Sequence, residues 1–446
     1  MLQGFPLLLL IAFAILFIVL MGTKFKVNPF IVLLLAALMT GIFSGMPILE
    51  IANTANEGFG NMMKKIGLVV VLGTLIGTIL EKSGSILRIA QFILQLFGEK
   101  RPIAAITVIG AVIGIPIFCD SGYIILSGLT RPIAQKSKAN YAAVVCGLAS
   151  GLYITHTLLP PHPGSIAGAA NLGLKEHFGI VILLGLLIAI PVTIVAWLFS
   201  SRLKVSEGQG ISTDDLIANE VKEVSLSKSL IPVVLPLMFI ALSSFGMFIP
   251  FPSSIKMVID FIGHPVIALL IGFGLSLRTV NSSDREHLKG WIRSGLMHAG
   301  SILVVVGAGG VFGEVLKKTA IADLVEQFAS SGNSSKLFFL FIGWCMGAII
   351  KTAQGSTTSA IIVVTSIMAP LAAAAGFIQP VELSLLLAAI AGGTMMISHT
   401  NDAYFWVISQ FSGLSMTETY KSFSLATIVM SITVLVTVLL LSMILI

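Results

Sequence analysis

Apolar runs of about twenty residues recur along almost the whole chain, each long enough to cross a hydrocarbon layer as a helix. The pattern predicts an all-α polytopic membrane protein. Spans are expected at 6–21 and 29–45. After a polar stretch over 53–65, a third is expected at 66–80, where Gly73 and Gly77 put small residues on one face. Residues 85–97 are amphipathic and too short to span, which suits an interfacial helix. Further spans are expected at 141–158, 178–200, 230–249, 257–277, 300–316, 383–400 and 424–446, with a second interfacial segment at 321–329.

Two stretches do not read as plain spans. Residues 102–138 carry two apolar arms around Cys119-Asp120-Ser121-Gly122, with basic residues at both outer ends. Residues 337–371 repeat the layout around Gln354-Gly355-Ser356-Thr357-Thr358. Basic flanks on one side predict re-entrant hairpins, whose tips are tolerated at membrane depth only against protein or a cavity. Two spans also end in polar motifs where a helix should continue. One is Thr155-His156-Thr157-Leu158-Leu159-Pro160-Pro161-His162-Pro163-Gly164 and the other Ser398-His399-Thr400-Asn401-Asp402. Polar groups at that depth usually line a water-filled path or a bound solute, and breaks in matching halves point to a transporter.

The halves do match. Gly77, Leu80 and Lys82 recur as Gly313, Leu316 and Lys318, Pro132 as Pro370, and His156-Thr157 as His399-Thr400. Residues 1–200 and 229–446 are thus expected to be two membrane repeats joined by a hydrophilic linker over 201–228. Each repeat holds five spans plus one re-entrant hairpin, and one broken helix. An odd number of spans inverts the second repeat in the membrane.

Composition agrees with this reading: 56% of residues are hydrophobic, 10% are charged, and mean hydropathy is +1.02. A soluble domain carries roughly 25% charged residues. Placing the linker in the cytoplasm puts 18 of the 26 Lys and Arg on that side and both termini in the periplasm, as the positive-inside rule expects. The first run lacks a basic leader and a small-residue cleavage site, so it reads as a retained span. The net charge of +6 comes from loop lysines and arginines with no interleaved aromatic patch, and no nucleic-acid partner is expected. Cys119, Cys146 and Cys345 lie in apolar segments without metal-ligand spacing, so neither a metal nor another cofactor is expected. The expected surroundings are membrane lipid.

A carboxylate solute needs hydrogen-bond donors and compensating positive charge. The second tip offers Gln354, the Gly355 backbone, Ser356, Thr357 and Thr358 at the N-terminus of a half-helix. Lys351 stands one turn earlier, either facing the solute, snorkelling to the surface, or paired with an acid. Ser121, His156, Thr157, Thr400 and Asn401 complete the candidate binding set. Asp120, His399 and Asp402 are the candidates for carrying a coupling proton, since desolvated carboxylates and imidazoles exchange protons near neutral pH. Asp402 could instead cap the broken helix, and the histidines could bridge the breaks structurally. His162 is the weakest candidate, because Pro160, Pro161 and Pro163 already account for the break. Glu314 and Lys318 are expected to pair, His264 before Pro265 to start a helix, and Tyr404-Phe405-Trp406 to anchor the chain at an interface.

Several runs are familiar in this order: Phe261-Ile262-Gly263-His264-Pro265, Gly307-Ala308-Gly309-Gly310-Val311-Phe312, Gln354-Gly355-Ser356-Thr357-Thr358, and Ala391-Gly392-Gly393 leading into Ser398-His399-Thr400-Asn401-Asp402-Ala403-Tyr404-Phe405-Trp406. They resemble the gluconate permease family of bacterial proton symporters, over essentially the whole chain. The resemblance implies a bacterial inner-membrane homodimer with H+ as coupling ion and an elevator-type motion. It implies a small carboxylate substrate, gluconate or a related sugar acid, or D-serine as in one branch. The family commonly has Phe-Glu-Val where this chain has Cys119-Asp120-Ser121, and Thr or Gly where His162 stands. An intramembrane enzyme is disfavoured by the lack of a nucleophile–base pair, zinc motif or phosphate loop, and a passive channel by two tips meeting at mid-membrane. A cysteine introduced within 208–219 should react with an impermeant thiol reagent only from the cytoplasmic side. Labelling from outside intact cells would overturn the orientation.

Overall fold

The computed structural model describes residues 2–446 except 24, 26, 98–100, 205–223, 246–251, 320–335 and 401. The described residues form helices joined by turns, with no strand among them. Among the described residues eight helices are long and apolar enough to cross a membrane, or nine if one bent pair counts as a single span. Most of the expected linker and the expected interfacial segment at 321–329 lie outside the described residues.

The chain opens with α1 (Phe5–Thr23) and α2 (Pro29–Phe43), then α3 (Ile48–Lys82) and α4 (Ser85–Phe97). The polar stretch at 53–65 was expected to precede a span, yet it is the first half of the 35-residue α3. Its helical state comes from packing against α13 (Leu288–Lys317), the corresponding helix of the second half. A Cβ on Gly58 would lie 2.6 Å from the Gly310 carbonyl, so the two backbones touch with no side chain between them. The expected Glu314–Lys318 pair is also different. Glu314 meets Lys317 at 3.2 Å, while Lys318 reaches across to Glu57 at 3.7 Å and Glu50 at 3.9 Å.

The first expected hairpin is α5 (Pro102–Ile113) and α6 (Cys119–Ser137), and the first broken helix is α7 (Tyr141–Leu158) and α8 (Pro163–Asn171). Then come α9 (Phe178–Ser201), α10 (Leu226–Phe245), α11 (Ser253–Gly263) and α12 (Pro265–Ser276). The span expected at 257–277 is not continuous, because α11 and the helix after it bend by 62° at His264. Pro265 supplies no N–H to the preceding turn and sits at the first position of α12, with His264 as its N-cap. The second expected hairpin is α14 (Lys336–Gln354) and α15 (Thr357–Ala374), and the second broken helix is α16 (Pro380–Gly393) and α17 (Ala403–Ser412). A short turn, α18 (Met416–Thr419), and a π-helical turn at Tyr420–Ser424 lead into α19 (Leu425–Leu445).

Two similar glycine contacts fall at corresponding places in the first and second parts of the chain. In the first half α5 lies on α7 through Gly110 and Gly151, where a Cβ on Gly151 would fall 2.1 Å from the Thr107 carbonyl. In the second half α14 lies on α16 through Gly347 and Gly393, where a Cβ on Gly393 would fall 2.0 Å from the Trp344 carbonyl. In each half one hairpin arm is therefore in backbone contact with the helix that breaks. Gly393→Ala should lower the melting temperature of the detergent-solubilised protein, since forcing a methyl into a packed contact costs about 1–3 kcal/mol. Gly274→Ala, with nothing within 4 Å of the new Cβ, should leave melting unchanged or raise it slightly. Equal melting of the two variants would contradict the contact.

Candidate functional site

The two breaks are built differently. In the first, Pro160 and Pro161, joined by a cis peptide bond, remove backbone donors, and Pro163 at the first position starts α8. The second has no proline between Gly393 and Asp402. Its unwound backbone is held by hydroxyls from the last helix and the turn before it. Thr427 Oγ1 accepts from Ser398 N at 3.1 Å, Ser424 donates to the Ser398 carbonyl, and Ser431 donates to the Gly392 carbonyl at 2.7 Å. Ile397 is held at φ +42°, a left-handed conformation that a β-branched residue rarely adopts.

Between the breaks and the tips lies a cavity of about 240 Å³. Its wall combines the starts of three helices. Phe118, Cys119 and Asp120 come from α6, Gly355 to Thr358 from α15, and Asp402 to Tyr404 from α17. Tyr153 and His156 from the end of α7 and Gln354 close it. Each helix start sets the partial positive end of its peptide dipoles at the cavity, typically worth 0.3–1 kcal/mol to an adjacent anion. The positive side of the site is thus mainly backbone.

The expected substrate-facing lysine is the main correction. Lys351 is fully buried, but its ammonium donates to Asp402 Oδ2 at 2.8 Å and is absent from the cavity wall. Asp402 also accepts from Ser398 Oγ at 2.6 Å and, as N-cap of α17, from Tyr404 N at 3.0 Å. Both of its oxygens are occupied. Asp120, on the same wall, has a buried Oδ1 with no hydrogen-bond partner among the described residues. The two carboxylates are therefore in different situations, one neutralised by a lysine and one not.

Of the other candidates, His156, Gln354, Gly355, Ser356, Thr357 and Thr358 line the cavity as expected. Ser121, Thr157, His399 and Thr400 do not. Thr157 donates to the Tyr153 carbonyl (2.8 Å), His399 Nε2 contacts the Thr352 carbonyl (2.9 Å), and the Thr400 carbonyl accepts from Trp406 Nε1 (2.8 Å). The His399 contact ties the second break to α14. Asn401 lies outside the described residues.

Tyr404, expected at an interface, is buried on the cavity wall. Its hydroxyl donates to the Ala149 carbonyl of α7 at 3.0 Å, and its ring stacks on Tyr153 with centroids 5.7 Å apart. Tyr153 donates to the Thr394 carbonyl at 3.2 Å and shares a 2.7 Å hydrogen bond with Thr357 Oγ1. Each half thus sends a tyrosine hydroxyl to the other half's broken helix. The sequence signal for Tyr153 is its position three residues before His156, on the same helix face. Tyr404 is signalled by its place in the first turn after Asp402.

Described residues whose secondary structure is all helical, with eight or nine candidate spans among them and a polar cavity where two broken helices meet, have the build of a membrane transporter. The sequence profile of the GntP family permeases matches residues 6–444, and the chain belongs to that family. It is 30% identical over 434 residues to a gluconate permease of Pseudomonas aeruginosa, covering 95% of this chain and 94% of that one. It is 29% identical over 447 residues to a high-affinity gluconate transporter of Escherichia coli, covering 98% and 99%. In fold it is similar to the YdaH transporter of Alcanivorax borkumensis, with a TM-score of 0.62 at 12% identity over 86% of this chain and 87% of that one.

Breaking the buried pair should destabilise the fold by about 3–5 kcal/mol, because the remaining charge stays uncompensated. Lys351→Met and Asp402→Asn should each lower the melting temperature, and the double variant should melt above the Lys351→Met single. Additive losses would mean that the two side chains are not energetically coupled.

Proposed function

We propose that the protein is a proton-coupled carrier of gluconate or a related small hydroxy-carboxylate in the bacterial inner membrane. The supporting observation is the unequal pair of carboxylates on the cavity wall: Asp402 is matched by Lys351, and Asp120 Oδ1 has no partner among the described residues. With Asp120 ionised, the cavity carries one uncompensated negative charge and repels a carboxylate. With Asp120 protonated, the three helix N-termini and the hydroxyls of Ser356, Thr357 and Thr358 favour the anion. The solute and one proton then load together, and each leaves more readily with the other. Asp120 is accordingly the preferred coupling residue over Asp402 and His399. The curated relatives carry the gluconate assignment, and D-serine is the alternative solute.

In the same reading, α5–α6 and α14–α15 are re-entrant hairpins. They move with the two broken helices as one elevator body against α3 and α13, in a homodimer with cytoplasmic linker and periplasmic termini. The glycine contacts that join each hairpin to its broken helix favour such a unit.

Proteoliposomes separate the roles. The unmodified protein should exchange labelled for unlabelled gluconate and accumulate it under an inward proton gradient, whereas a channel gives no counterflow. Asp120→Asn mimics the protonated acid, so it should keep exchange within a few-fold yet lose gradient-driven accumulation. Full accumulation by this variant would remove Asp120 from coupling, and loss of exchange as well would place it in solute binding.

A further inference from the structure

His162 is a polar residue of the first break that the carrier reading leaves without a role. It is buried, at 4% exposure, and its Nε2 lies 2.7 Å from the carbonyl of Gly114, the C-cap of α5. A carbonyl only accepts, so that nitrogen holds a proton and the ring plane is fixed. Gly114 itself sits hard against α7, where a Cβ would lie 2.4 Å from Thr155 Oγ1. The anchor is therefore rigid. Against the anchored ring stands His156, with centroids 4.2 Å apart and planes inclined at 63°. Phe118 touches both imidazoles, at 5.9 Å from His156 and 5.7 Å from His162. The three rings form one cluster at the end of the cavity bounded by the first tip.

The cluster is chemically incomplete where it meets the cavity wall. His156 is nine-tenths buried and lines the cavity, and its Nδ1 has no hydrogen-bond partner among the described residues. Two more polar atoms on the same wall share that state, Asp120 Oδ1 and Gln354 Oε1. A buried polar group left unpaired is costly, and at a binding site the missing partner is commonly the ligand or water. The Ser356–Thr358 helix start suits a carboxylate, whereas these three atoms suit a group that can donate. A hydroxyl both donates and accepts, so it completes His156 whichever ring nitrogen carries the proton.

We infer that His156 reads a hydroxyl of the solute and that His162 is the positioning residue that holds His156 at the required angle. The inference rests on the carrier reading and adds the specificity device of its site. The solute lies with its carboxylate at the second tip and its hydroxylated end against the first. His162 touches no solute and acts only through the ring of His156.

The test uses the full-length protein in proteoliposomes, with gluconate as the labelled solute and gluconate or hexanoate, a six-carbon acid without hydroxyls, as competitor. Unmodified protein should discriminate between the two by at least about 100-fold, since sites built to bond a hydroxyl strongly reject analogues lacking it. His162→Leu should raise KM for gluconate by about 10-fold or more with the maximal rate within about 2-fold, and should shrink the discrimination. His162→Gln, which keeps a donor for the Gly114 carbonyl, should recover part of both. His156→Leu should lose the same discrimination, and the double variant should be no worse than His156→Leu, as expected if one residue acts through the other. A purely structural His162 would instead lower the amount of folded protein and the maximal rate while leaving the discrimination intact, and that result overturns the inference. So does equal competition by hexanoate in the unmodified protein, which leaves carboxylate transport standing. Absence of exchange for gluconate and for every shorter hydroxy acid overturns the carrier reading and this inference together.

Discussion

A helix interrupted within apolar surroundings leaves N–H and carbonyl groups that must find partners inside the protein. Most features of the site follow from how the two breaks meet that demand. The first removes donors with prolines and anchors His162 on a carbonyl of the hairpin arm. The second recruits hydroxyls of Ser424, Thr427 and Ser431 from the last helix and its entry turn. Both solutions tie a break to another element, so the cavity between them is a consequence of backbone satisfaction as much as of side-chain shape.

The same demand explains the placement of charge. A lysine at 0% side-chain exposure persists because Asp402 stands 2.8 Å away and is held in turn by Ser398 and the Tyr404 amide. The pair joins the second hairpin arm to the start of α17, two pieces separated by 51 positions in the chain. Asp402 is at once a helix cap and a counter-ion, whereas from the sequence it reads as either a proton carrier or a cap.

The breaks, the tips and the two-fold repeat were legible in the sequence because each is polar or proline punctuation in an otherwise apolar text. The offset between Gly77 and Gly313 even points to the two helices, α3 and α13, that pack together. What could not be read was pairing across distance. Lys351 gives the same local signal whether it faces a solute or an acid, and only the fold brings Asp402 to it. Tyr404 looks like an interfacial aromatic because its partner, the Ala149 carbonyl, lies 255 positions away. Residues 53–65 look like a loop because their helical state depends on the glycine contact with α13. The bend at His264 was half legible: the proline marks a helix start, but apolar flanks on both sides hide the break.

Three helix N-termini face one cavity, and their charge belongs to peptide groups, which no side-chain replacement removes. The attraction of such a site for an anion is therefore insulated from mutation at the very residues that line it. An uncharged wall position such as 119 can drift through different chemistries without discharging the cavity. An architecture of this kind can diversify its cargo by exchanging tip residues while the framework, with its glycine contacts and tyrosine braces, stays as it is.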